Sequence, residues 1–281
     1  MVSGENDLAK FTVVLPTYNE VENISNIVKE LFRLYPGISI SVIDDGSTDG
    51  TVEAVLALQK EHGCLTLMRR DPSNKGLTAS LMEGISSVKT EFYIVMDADF
   101  QHPPASVGDL MSKVSEGADL VVGVRVNKEP LTISRRIAST GANKLAAFYL
   151  WMRRQPRSRD LMSGFFGGRA ETARRIISKY GNKFERKGFK VLFDLLKHVP
   201  RDIRLEEAQF IFGERAGGES KLNSDIILSV MKQCGLAGKM LGTTIQLMVI
   251  SKAAQVIGLL ILVAIFAIAL TMGMAPHSPT P

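Results

Sequence analysis

From Phe11 to Arg125 the chain alternates between short apolar runs and longer two-faced stretches. FTVVLP (Phe11–Pro16), ISISVIDD (Ile38–Asp45), CLTLMR (Cys64–Arg69) and FYIVMD (Phe92–Asp97) are compact and rich in β-branched or aromatic residues, which predicts strands. Between them, Asn19–Pro36 sets Val21, Ile24, Val28 and Leu31 at helical spacing and stops at Pro36. Asp49–Gly63 and Asn74–Val88 repeat the helical pattern, the first stopped by Gly63. Strands alternating with helices predict an α/β fold whose mostly parallel sheet carries helices on both faces. Folds of this kind bind ligands at the carboxyl ends of their strands.

Four polar clusters fall at that edge. PTYNE (Pro16–Glu20) follows the first run, DDGSTDG (Asp44–Gly50) the second and DADFQ (Asp97–Gln101) the FYIVM run, while GVR ends at Arg125. Asp97 and Asp99 are two apart, so in an extended chain their carboxylates point to one side. Hard divalent cations take oxygen ligands, and Mg²⁺ characteristically combines one or two carboxylates with substrate phosphates. The pair therefore reads as half of a metal site, with Gln101 as a further oxygen donor; an Asp-rich turn closing a strand is the plainer alternative. Asp44 and Asp45 likewise read either as ligand contacts or as caps for the next helix, a role Ser47, Thr48 or Asp49 could fill instead. No GxGxxG opens a helix and no GxxxxGK[ST] occurs, which argues against dinucleotide and P-loop sites; GGESK (Gly217–Lys221) has neither the spacing nor the context.

The C-terminal pattern is different. Ala253–Ala275 is apolar almost without interruption, and at 1.5 Å per residue it reaches about 34 Å, enough for a hydrocarbon core of about 30 Å. Before it, Lys232, Lys239 and Gln246 recur every seven residues on an otherwise apolar 226–250 segment, a narrow polar stripe expected of helices lying in a membrane interface, broken near Gly235, Gly238 and Gly242. The expected organisation is a leader (1–10), a catalytic body (11–225), interfacial helices (226–252), one spanning helix (253–275) and a tail (276–281). Lysines precede the span and only His277 follows it, so the positive-inside rule puts the body in the cytosol. MVSGENDLAK has no signal-peptide hydrophobic region.

Charge and cysteines sharpen this only a little. A net charge of +5 and pI near 9.2 suit phosphate ligands or an anionic membrane. The cations are dispersed without aromatic interleaving, which argues against nucleic acid. Two cysteines, Cys64 and Cys234, form no disulfide framework or four-ligand zinc site and fit a reducing compartment.

Taken in order, VVLPTYNE, VIDDGSTDGT, DADFQHPP, SGFFGGR and GERAGGESKL closely resemble the inverting family 2 glycosyltransferases, and within them the dolichol-phosphate (polyprenyl-phosphate) mannose synthases, from about Phe11 to Leu222. The resemblance implies a GT-A, Rossmann-like fold and transfer of mannose from GDP-mannose to dolichyl or polyprenyl phosphate. It implies that Pro16, Tyr18, Glu20, Ile43 and Asp45 contact the nucleoside. It further implies that Asp97, Ala98 and Asp99 meet the sugar nucleotide, with Asp99 and Gln101 on Mg²⁺ or Mn²⁺. Arg125, Arg215 and Lys221 are implied as cations for the donor diphosphate and lipid phosphate. Arg159–Arg169 resembles an acceptor-side segment, with Leu161 where the family usually has Pro. Some relatives carry an Arg before Gly-Ala-Asn; here Thr140 stands there, with Arg135 and Arg136 nearby.

A lipid phosphate is already anionic at pH 7, so its attack at the anomeric carbon needs no general base and inverts configuration. The built-in anchor is expected to dispense with accessory subunits, and the membrane is the endoplasmic reticulum if the source is eukaryotic. The alternatives are a polyprenyl-phosphate glucose synthase using UDP-glucose and a non-catalytic membrane adaptor on the same fold.

Overall fold

The computed structural model describes residues 5–126, 133–185 and 191–213, with side chains for 7–126, 143–185 and 191–213. In chain order it runs α1 (Glu5–Leu8), β1 (Phe11–Thr17), α2 (Val21–Leu34), β2 (Ser39–Asp44), α3 (Thr51–Gln59), β3 (Leu65–Arg69), α4 (Leu77–Ser87) and β4 (Phe92–Val95). It continues through α5 (Val107–Ser115), β5 (Leu120–Arg125), α6 (Ile133–Met152), β6 (Phe166–Arg169), α7 (Ala170–Tyr180), α8 (Val191–Leu196) and β7 (Leu205–Phe210). The seven strands form one sheet in the order β3-β2-β1-β4-β6-β5-β7. Every neighbouring pair is parallel except those involving β6, which runs antiparallel to both β4 and β5.

The strands β1, β2, β4 and β5 are largely buried on both faces because alternate side chains enter two separate cores, while β3 and β7 at the sheet edges stay partly exposed. Phe11, Val13 and Leu15 of β1 pack with Ile24, Ile27, Val28 and Leu31 of α2 and with α3 and α5. Val14, on the other face, packs with Leu81 and Ile85 of α4 and with α6, α7 and α8. The expected α2 stripe is shifted: Val21 is exposed and Ile27 takes a core position. The helices on both faces therefore follow from continuous apolar strands.

Strand β6 was not expected to reverse. Phe166-Gly167-Gly168-Arg169 threads between β4 and β5, and a Cβ at Gly167 would run into Ile94 and the Tyr93 carbonyl, one at Gly168 into the Asp119 carbonyl. The paired glycines of SGFFGGR are thus required by close backbone approach.

Chain order reverses at β1, whose neighbours are β2 on one side and β4 on the other. That switch point is where an open α/β sheet offers a crevice, and the loops after β1 and β4 flank it. Among the described residues no helix is long and apolar enough to cross a membrane. The 226–252 and 253–275 segments, the 276–281 tail, Arg215 and Lys221 lie outside the described residues, as do the side chains of Arg135, Arg136 and Thr140.

Candidate active site

The loops after β1 and β2 are laced together by backbone donors. Asn19, in the left-handed region at φ 57°, gives its N–H to Ser47 Oγ (2.9 Å) and accepts from Thr48 N–H at Oδ1 (3.0 Å). Asp49 serves two helix starts at once: Oδ2 accepts from Val21 N–H of α2 (3.0 Å) and Oδ1 from Thr51 N–H of α3 (3.0 Å). Burial alone would raise the Asp49 carboxyl, but these donors together with the Thr51 hydroxyl hold it below the usual carboxylate range. Asp44 closes the β2 turn, Oδ1 accepting from Gly46 and Ser47 N–H (3.1 and 3.0 Å). The helix-start donors therefore go to Asp49, and neither Asp44 nor Asp45 takes one.

Asp45 is instead clamped. Its Oδ1 meets the guanidinium of Arg70, and its Oδ2 accepts from Gly76 N–H (2.7 Å). Arg70, with its side chain 1% exposed, also donates bidentately to Glu83 on α4 (2.9 and 2.8 Å) and to the Asn74 carbonyl (3.0 Å). A carboxylate has about four acceptor sites, so Asp45 retains capacity for a ligand. Nothing in the local pattern of MRRD singled out Arg70, although it directly follows β3, at the same edge as Asp45. Lys75 was missed as well: its Nζ lies 4.5 Å over the Tyr18 ring and donates to the Gly46 carbonyl (3.4 Å).

Of the other expected nucleoside contacts, Tyr18 is exposed at the edge and Glu20 sits at the start of α2, bound to Asn23 Nδ2 at Oε2 (3.1 Å). Pro16 is buried in β1. The Ile43 side chain is sealed in the core, where a Cβ on Gly84 would press against it, so it supports the edge from below and does not reach it. Ala98 is likewise packed in the core.

The acid loop departs from the extended geometry that would aim both carboxylates one way. Strand β4 stops at Val95, and Asp97–Gln101 follows as a bend with Phe100 at φ 61°. A phenylalanine held in the left-handed region is uncommon and costs energy that the surroundings must impose. Asp99, 4% exposed, folds back so that Oδ1 accepts from Gln101 N–H (3.1 Å). Gly213 N–H, just beyond β7, donates to the Gln101 carbonyl (2.9 Å). Met96 N–H donates to the Val14 carbonyl of β1 (3.2 Å), which fixes the acid loop beside PTYNE.

His102 anchors this bend. Its Nδ1 accepts from Asp97 N–H at 3.0 Å, which requires that nitrogen to be unprotonated; the 3.6 Å approach of Asp97 Oδ2 is therefore no ion pair. Burial, aided by Arg125, pushes its pKa down to about 3.

Arg125 ends β5 and is held by Asp160, Nε to Oδ2 at 2.8 Å and Nη2 to Oδ1 at 3.3 Å, with its guanidinium carbon 5.3 Å from the Phe212 ring centroid. One further ion pair and a neutral amide shape the segment around Asp160: Arg159 Nε meets Glu207 Oε2 (2.5 Å), and Asn143 bridges the Arg159 carbonyl (2.7 Å) and Leu161 N–H (2.9 Å). Ser163 turns its hydroxyl to its own loop, accepting from Phe165 N–H (3.1 Å).

Asp97, Asp99 and Gln101 offer two carboxylates and an amide oxygen within five residues, the hard oxygen set that Mg²⁺ or Mn²⁺ takes. Gly164 leaves room in front of the Asp97 carboxylate: a Cβ there would lie 3.3 Å from Oδ2. The residues present fit such an ion.

Residues 12–177 match the model of glycosyl transferase family 2. The chain is 31% identical to the dolichol-phosphate mannosyltransferase of Mycosarcoma maydis over 79% of its own length and 76% of that protein's, and 30% identical to the one of Saccharomyces cerevisiae over 80% and 85%. Against the Pyrococcus furiosus dolichol-phosphate mannosyltransferase it is 31% identical over 79% of its length and spans 62% of that relative. Among solved structures, the fold matches Mycobacterium tuberculosis glucosyl-3-phosphoglycerate synthase in complex with Mn²⁺, UDP-glucose and phosphoglyceric acid (TM-score 0.60, 20% identity, 84% of each chain). It also matches mannosyl-3-phosphoglycerate synthase of Rubrobacter xylanophilus (TM-score 0.58, 18% identity, 85% and 80%). With its strand-order switch at β1, its acid loop and these relatives, the chain belongs to glycosyl transferase family 2 and, within it, to the dolichol-phosphate mannosyltransferases.

Proposed function

We propose that the protein transfers mannose from GDP-mannose to dolichyl or polyprenyl phosphate, inverting the anomeric centre to give a β-linked lipid phosphomannose. The observation that carries this reading is the kinship with dolichol-phosphate mannosyltransferases over about four-fifths of the chain. The edge geometry supports it. Tyr18, Glu20 and Asp45 border the part of the crevice assigned to the nucleoside, and Asp97, Asp99 and Gln101 would hold Mg²⁺ or Mn²⁺ against the diphosphate. Such an ion, when bound, offsets the charge that develops on the leaving diphosphate. A phosphate oxygen of the lipid attacks the anomeric carbon as its bond to the diphosphate oxygen breaks, and no protein base is needed. Arg125, with Arg215 and Lys221, is assigned to bring the two anionic groups together and to stabilise the leaving group.

The 253–275 segment is assigned as the membrane anchor and the 226–252 segment as interfacial helices, with the body on the cytosolic side, so that the crevice works at the depth of the lipid headgroup. The solved neighbour holding Mn²⁺ with UDP-glucose keeps UDP-glucose as the second donor to test. Transfer of labelled mannose from GDP-mannose into a polyprenyl-phosphate lipid extract, with and without divalent cation, decides between them. Wild type should give cation-dependent mannosyl lipid and Asp99→Ala at least a hundredfold less; label entering lipid only from UDP-glucose would replace the donor.

A further inference from the structure

His102 reaches three separate parts of the edge at once. Its Nδ1 takes the backbone N–H of Asp97 (3.0 Å). Its ring stacks on Phe165 of the acceptor-side segment, centroids 5.2 Å apart at 17°. It also meets edge-on Phe210, the last residue of β7, and Phe212 beyond it, at 5.6 and 5.7 Å. Phe212 in turn lies under Arg125, and Gly213, the next residue, holds the Gln101 carbonyl. Gly164 is confined by the same ring, since a Cβ there would lie 3.3 Å from both His102 Cε1 and Asp97 Oδ2. The residue is 2% exposed, and removing the imidazole nitrogen takes from the Asp97 N–H this acceptor, a loss that burial makes costly.

We infer that His102 is a positioning residue: it fixes the Asp97 backbone through Nδ1, and through its ring it binds the acid loop, the Gly164–Phe165 segment and the end of β7 into one unit. The inference rests on the reading of Asp97 and Asp99 as the residues that hold a divalent cation against a nucleoside diphosphate. Its chemistry is specific. An aromatic ring of similar size preserves the stacking but removes the acceptor. An asparagine preserves the acceptor, because its Oδ1 is as many bonds from Cα as Nδ1, but removes the ring. The two functions of the side chain can therefore be separated. Groups that orient metal ligands without touching the metal typically change metal affinity by 10- to 100-fold when removed.

The test uses the full chain in detergent micelles, with Mn²⁺ as a spectroscopic probe, alone and with GDP, followed by electron paramagnetic resonance. GDP binding without metal and the thermal midpoint are measured beside it. His102→Phe should weaken Mn²⁺ binding in the presence of GDP by at least tenfold while metal-free GDP affinity stays within about twofold. His102→Asn should recover most of that loss, to within about threefold of wild type, even where its thermal midpoint falls below that of His102→Phe. Equal Mn²⁺ affinities for wild type and His102→Phe, or an Asn variant no better than Phe, overturn the positioning role. A wild type that binds GDP without any Mn²⁺ dependence overturns the reading of the acid loop and the inference with it. Loss of Mn²⁺ affinity that tracks the thermal midpoint across both variants would likewise sink it, since a purely structural side chain behaves that way.

Discussion

The two halves of the sheet secure their edge loops by different means. On the β1–β4 side, loops are tied by backbone N–H groups to short polar side chains close in sequence or one strand away, and Arg70, the cation that clamps Asp45, is almost wholly buried. On the β5–β7 side, the edge depends on charged side chains far apart in sequence: Arg125 with Asp160, and Arg159 with Glu207. These pairs are partly exposed, Arg125 by 28%. A buried pair is costly to break but leaves little freedom, whereas an exposed pair contributes little stability and rearranges readily. The first half is built as a fixed wall, and the second is held by charged pairs that are more open to solvent.

The comparison predicts opposite outcomes for similar substitutions. Arg70→Met should remove a buried cation from between two carboxylates and lower stability by about 3 kcal/mol, or several degrees in thermal midpoint. Differential scanning calorimetry would show it, and a shift below about 2 °C would mean that the Asp45–Arg70–Glu83 triad does not clamp the wall. Asp160→Ala should move the midpoint far less, because Arg125 can turn to solvent. Its effect should appear in turnover: loss of the bidentate partner unfixes Arg125 and should lower kcat/KM about tenfold, near 1.4 kcal/mol of orientation. Steady-state transfer kinetics would measure this, and unchanged kcat/KM would remove Arg125 from the machinery or Asp160 from its support.

The same division governs how much could be read from residues alone. In the first half the strands, the helices and the edge address of PTYNE, DDGSTDG and DADFQ followed from local periodicity, because each βα unit is contiguous and its polar cluster is simply where the strand ends. Local pattern failed where two distant segments meet. The reversal of β6 depends on pairing with β4 and β5, which no hydrophobic period encodes. Asp160 lies 35 residues from Arg125, and Arg70 finds Asp45 only because β3 lies beside β2. His102 carries no signal of its own within DADFQHPP, since a lone histidine is ordinarily silent until its ring neighbours are known. The two-apart argument for Asp97 and Asp99 assumes an extended chain, whereas β4 ends at Val95, two residues before the first of them.

A titration sharpens the contrast, because cations crowd one histidine in the second half. His198 stacks on Tyr180, centroids 4.2 Å apart at 8°. Burial first, then Lys197, Lys183 and Arg153, push its pKa down to about 4. An unfolded histidine takes its proton near pH 6.5. Between about 6.5 and 4 the unfolded chain therefore binds a proton that the native state refuses, and stability falls as pH drops through that window. His198→Phe keeps a ring against Tyr180 and abolishes the group, so its midpoint should fall less between pH 6.5 and 4.5 than that of wild type. Parallel midpoint–pH profiles would assign the acid sensitivity to other groups.

The smallest expected effect concerns the end of α6. Gln155 N–H donates to the Leu150 carbonyl (2.9 Å) and Arg154 N–H to that of Trp151 (3.0 Å), the paired bonds of a Schellman helix end. The first residue past the helix cap stands at φ 54°, and here it is Arg154 where glycine is the usual occupant. Relief of the Cβ conflict favours Arg154→Gly, and the extra backbone freedom of glycine in the unfolded chain offsets part of the gain. The net should be a stabilisation of about 0.5 to 1 kcal/mol, read as a higher urea midpoint at unchanged slope. Phe148, Trp151 and Met152 stand exposed beside this charge, and nothing in the helix end itself needs the guanidinium. A midpoint that stays put or falls would show that the Arg154 side chain contributes stability that outweighs the backbone strain at φ 54°.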